Sequence, residues 1–147
     1  MTLVATALIV GALDITYAIL FSYFRSGTAP ARLLQSVAAG ALGRASFDGG
    51  MRTAALGLAI HFFIAFVITF VFFAAARRLP ALARRPVITG AAYGIGVYLV
   101  MNWVVIPLSK IGPRPFPATI VLVTGVLVHM FLIGVPIAIG ARRTATG

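Results

Sequence analysis

Asp14, His61 and His129 each stand near the middle of a long apolar run, where ionisable side chains are costly and mark a functional site by default. An imidazole titrates near neutral pH, so an aspartate and two histidines in one interior could share and relay protons. Two histidines at matched depth on separate helices could also supply both axial ligands of a b-type haem, with nearby glycines clearing room for the ring. A metal held by His61, His129 and Asp14 is a weaker alternative, because the three spacings are unconnected. The plainest alternative is structural: Asp14 hydrogen-bonds a histidine or Tyr17 and ties helices together. No bound cofactor is expected, and haem b is the alternative.

The stretches that carry these groups explain how they would meet. Thr53, Gly57, His61, Ala65 and Thr69 recur every four residues, which places them on one helix face. Ala7, Gly11, Asp14, Ala18 and Ser22 make a similar stripe in the first run, and Gly90, Gly94, Tyr98 and Asn102 another in the third. Small and polar stripes on oily helices are the faces that meet other helices. Gly125, His129 and Pro136 fall broadly on one face of the fourth run. The segment from Gly57 to His61 reads in parallel with that from Gly125 to His129, and arginine pairs follow both, Arg77-Arg78 and Arg142-Arg143. This pattern predicts two similar helical hairpins with both histidines facing the bundle axis.

Composition agrees with a membrane solvent. The chain of 147 residues is 61% hydrophobic with two acidic residues, and its mean hydropathy is +1.09. A soluble globular domain does not look like this. The formal charge of +10 comes from arginines at the ends of apolar runs. There they serve as topology signals and as contacts to anionic lipid head groups, so no nucleic-acid partner is expected. Cysteine is absent, which removes disulfides and thiolate sites.

The fold class expected is all-α: one membrane domain, 1–147, forming a four-helix bundle. Its spans cover about 3–24, 53–76, 87–106 and 119–140, with an amphipathic helix over about 30–43 in the first loop. Eleven Leu, Ile, Val and Phe residues in the first run, at roughly −0.3 to −0.6 kcal/mol each, outweigh the roughly 2.5–3.5 kcal/mol insertion cost of Asp14. Without a basic leader or a cleavage pattern, that run reads as a retained helix. Thr28 is the expected cap of the amphipathic helix, whose polar face carries Arg32, Gln35 and Ser36. Ser46 or Asp48 should cap the second span. Pro136 should kink the fourth, Trp103 should anchor an interface, and 141–147 should be disordered. Four spans put both termini on one side with six basic residues, against six on the other. The tighter abutment of the first six on membrane ends points to termini inside, in the cytoplasm.

The run His61-Phe-Phe-Ile-Ala, the later Ile106-Pro107-Leu108-Ser109 with its proline-rich continuation, and His129 with the closing Arg142-Arg143 resemble the YagU-type bacterial inner-membrane proteins. The resemblance covers about the last two thirds of the chain. It implies an inner-membrane location and a loose link to acid tolerance, and it brings no catalytic residues. No phosphate loop, nucleophile elbow, HExxH or paired carboxylates occur, so no enzyme is expected. The functions left are proton-linked transport of a proton or small solute, an acid response, a structural or lipid-interacting scaffold, and haem binding.

Overall fold

A computed structural model describes residues 2–145, and among these there is no β-strand. Among the described residues six helical segments follow one another, with a short 3-10 helix (Gly43–Asp48) between the second and third: α1 (Leu3–Ser26), α2 (Pro30–Leu42), α3 (Gly50–Arg78), α4 (Ala81–Arg84), α5 (Pro86–Leu108) and α6 (Thr119–Thr144). Four of them, α1, α3, α5 and α6, are long and apolar enough to cross a membrane. Helices satisfy every backbone donor and acceptor internally, which hydrocarbon demands. Large apolar side chains such as Phe63, Phe70, Ile88 and Phe131 lie exposed around the outside, as lipid-facing residues should. The Phe62–Phe73 cluster divides accordingly: Phe63, Phe66 and Phe70 face outward, while Phe72 and Phe73 are buried.

The termini-side half is a dry core. Val10 of α1, Phe72 and Phe73 of α3, and Ile133, Ile137 and Ala138 of α6 pack together. Tyr93 of α5 donates its hydroxyl to the Ile68 carbonyl at 2.6 Å and meets Phe72 edge-on. Along the α5–α6 seam the two backbones touch. A Cβ on Gly90 would lie 2.6 Å from the Gly134 carbonyl oxygen, and one on Gly94 would overlap the His129 carbonyl. Only glycine permits that approach.

Two π-helical turns interrupt the spans, Met101–Val105 in α5 and His129–Gly134 in α6. Each stands just before a proline, Pro107 and Pro136. Proline offers no N–H and its ring crowds the carbonyl four residues back. The preceding residue instead bonds five back, Ile106 to Met101 and Val135 to Met130. Pro136 therefore widens its helix where a kink was expected, and such turns recur at functional sites.

Several end signals differ from expectation. Thr28 does not cap α2; its hydroxyl pairs with that of Ser26 at 2.8 Å, and Ala29 holds the cap position with Pro30 following. No side chain caps α3. Ser46 is buried under the loop, and its carbonyl accepts from the Thr53 hydroxyl at 2.6 Å. Of the two placements open to an amphipathic helix, on the membrane surface or tucked against the bundle, α2 takes the second and packs on α3, where Gly57 lets the Leu34 carbonyl come into contact. Gln35, placed on the polar face by its sequence, is buried and donates to the Gly50 carbonyl at 3.0 Å. The last helix persists through the Arg142-Arg143 pair, so most of the expected disordered tail is helical; 146–147 lie outside the described residues.

Candidate functional site

The helix stripes bring Asp14, His61 and His129 to one place. All three line a chamber of about 140 Å³ at mid-depth, walled otherwise by apolar residues such as Ile64, Val97 and Met101. Asp14 and His129 also line a wider vestibule of about 550 Å³, and they alone border both cavities. The pair therefore forms the partition between an inner chamber and an outer cleft.

The vestibule climbs the loop-side half of the bundle. On α1 it follows Asp14, Tyr17, Ala18, Phe21 and Ser22, about 12 Å of helix at 1.5 Å per residue. Opposite stand Tyr98, Asn102 and Trp103 of α5 and Gly125 and His129 of α6, so both π turns contribute. Pro113, Arg114 and Phe116 of the connecting loop line the mouth. Below the chamber Val10, Phe72, Ile133 and Ile137 pack together, and a separate cleft at the termini end, lined by Thr2, Phe73, Arg77 and Arg78, shares no residue with the chamber or the vestibule.

Each histidine has one nitrogen fixed. His61 Nε2 donates to the Gly11 carbonyl of α1 at 2.9 Å, and His129 Nδ1 donates to the Gly125 carbonyl of its own helix at 2.8 Å. A carbonyl can only accept, so those nitrogens carry protons, and His61 Nδ1 and His129 Nε2 keep the lone pairs. The two GxxxH segments, parallel in sequence, are thus used differently. One histidine bridges helices and the other bonds back along its own turn. His129 meets the Tyr98 ring edge-on at 5.2 Å, and a Cβ on Gly125 would collide with that ring. Gly11 makes equivalent room for Phe62.

Asp14 accepts no hydrogen bond and makes no ion pair among the described residues, although His129 lies within its electrostatic reach. The bond to Tyr17 or a histidine that the structural alternative calls for is not formed among the described residues. The Tyr17 hydroxyl is itself buried without a partner. The polar stripe residues Thr69 and Asn102 bond back along their own helices and not across to a neighbour. Thr69 is fully buried and bonds the Ala65 carbonyl at 2.7 Å; Asn102 donates to the Tyr98 carbonyl at 2.9 Å.

The chamber shared by the two histidines, about 140 Å³, is smaller than the roughly 300–1,000 Å³ of ligand and cofactor pockets. Phe21, Arg114 and Phe116 were missed by sequence reasoning. Phe21 follows Asp14 by seven residues, so its place on the Asp14 face was readable; the loop residues carry no periodic signal.

The chain lacks cysteine, so single cysteines can map the opening. In oriented membranes, Ser22→Cys is expected to react with a membrane-impermeant methanethiosulfonate from the loop side at least tenfold faster than Ile137→Cys, which sits in the dry core. Equal rates, or labelling of Ser22→Cys from the termini side alone, would contradict a loop-side opening.

The fold and this site define a multi-pass, all-α membrane bundle in which Asp14, His61 and His129 line a mid-depth chamber beside a wider cleft on the loop side. No protein-family model, curated protein or solved structure matches the chain.

Proposed function

We propose that this protein is a proton-linked transporter of the bacterial inner membrane, which takes protons and a small solute from the loop side into the centre formed by Asp14, His61 and His129. One observation carries the proposal: three helices deliver three ionisable side chains to a single chamber contiguous with an open vestibule. The unpaired carboxylate favours transport over a scaffold, since a purely structural aspartate would be tied to a partner. The fixed tautomers leave one basic nitrogen on each ring to receive a proton. With the termini in the cytoplasm, as the arginine clusters at Arg77, Arg78, Arg142 and Arg143 suggest, the vestibule opens to the periplasm. The resemblance to YagU-type proteins supports the same membrane. Contacts to anionic lipid at those arginines complete the expected partners.

Proteoliposomes loaded with a pH-sensitive dye test this function. After an external acid pulse, the native protein should acidify the lumen measurably faster than empty liposomes, and Asp14→Asn should return the rate to that baseline. Native protein indistinguishable from empty liposomes, or undiminished flux through Asp14→Asn, would rule out a relay through this carboxylate.

A further inference from the structure

The walls of the vestibule specify a class of solute. Its size, about 550 Å³, lies within the range that accommodates drug-sized molecules. Tyr17, Phe21, Tyr98, Trp103 and Phe116 present aromatic rings from three segments of the chain, and the Asp14 carboxylate at the inner end makes no ion pair among the described residues, with His129 the titratable neighbour in its electrostatic reach. Aromatic faces attract cations through the ring quadrupole, with greater strength where water is excluded. One ring at the lip already does so: the Arg25 guanidinium lies 5.8 Å from the centroid of Phe21, which stacks on Tyr17 at 5.4 Å.

We propose that the vestibule binds an amphiphilic organic monocation, a quaternary ammonium or phosphonium on an aromatic or apolar body, with its charge directed to Asp14. This rests on the transport function above and names its substrate class. A small hydrated ion would use neither the rings nor the volume, and an anion would face Asp14 at the inner end. Arg114 at the mouth opposes the cation. The binding energy therefore comes from the deep end of the cleft, where apolar walls and the carboxylate act together.

The test uses tetraphenylphosphonium as the probe and tetraphenylborate, of the same shape and opposite charge, as its control. Binding to the full-length protein in detergent is measured by equilibrium dialysis against empty micelles. Saturable phosphonium binding is expected, weakened at least tenfold by Asp14→Asn and about threefold by Phe116→Ala, and strengthened by Arg114→Gln. Each variant must elute as the native protein does. Phosphonium binding insensitive to Asp14→Asn, or tetraphenylborate binding as tightly as the phosphonium, would overturn the assignment. Proton flux by a protein that binds no phosphonium would sink this substrate class alone. Asp14-dependent phosphonium binding without proton flux would instead sink the proton-linked function.

Discussion

Replacing Asp14 with leucine is expected to make the protein harder to unfold. An aspartate at the centre of a membrane helix costs roughly 2.5–3.5 kcal/mol to insert, whereas a leucine contributes roughly −0.3 to −0.6. In most folds a partner would recover the difference, but Asp14 accepts no hydrogen bond among the described residues. It is half-buried beside a cavity, which reduces the penalty through local hydration. A gain of about 1–3 kcal/mol remains, read as a higher midpoint in denaturant or a higher apparent Tm in detergent. The variant should lose proton flux as it gains stability, the trade expected of a residue kept for function. A destabilised Asp14→Leu would mean that the carboxylate holds helices together, and the scaffold reading would then be preferred.

The opposite result is expected at Gly94. Its missing Cβ is where the His129 carbonyl passes, so Gly94→Val has no soft side chain to push aside. Overpacking a rigid contact costs about 1–3 kcal/mol and occasionally more; here backbone faces backbone, and the upper end applies. The damage should also reach the site, because forcing α5 from α6 displaces the turn that carries His129. Gly94→Val is therefore expected to lose most of its folded monomer yield and all proton flux. Gly96, two residues away on the same helix, supplies the control. Nothing lies within 4 Å of its would-be Cβ, so Gly96→Ala should be neutral or stabilising by up to about 1 kcal/mol. If the two variants behave alike in size-exclusion yield and thermal stability, the seam is not a close backbone contact.

How much of this was legible in sequence depends on whether the signal was periodic. The stripes through Gly11 and Asp14, Gly57 and His61, and Gly90 and Gly94 repeat at helical spacing, and each turned inward as helix geometry requires. The four spans followed from length and hydropathy, with starts off by up to three residues and C-terminal ends by two to four. Gln35 was misplaced because amphipathicity shows which residues share a face, not what covers it. A glutamine opposite a leucine row looks solvated until another helix supplies a carbonyl. The matching GxxxH segments encouraged a symmetry that the hydrogen bonds do not share, since glycine four residues before a histidine dictates no partner. The two π turns lay in Pro107 and Pro136, but a proline alone does not distinguish a kink from a widened turn. Arg114 and Phe116 stand in an irregular connection, where position depends on the finished bundle.

The glycine contacts between α5 and α6 have a mechanical consequence. Where the two backbones touch at Gly90, Gly94 and Gly134 no side-chain layer lies between them to repack, which favours α5 and α6 moving as one body. Any exposure of the centre to the termini side would then come from α1 and α3 rocking against that body. The chain joins α1 and α3 to α5 and α6 only through the linker 79–85, where the short helix α4 is tied to α5 by the Thr89 hydroxyl on the Leu82 carbonyl at 2.7 Å.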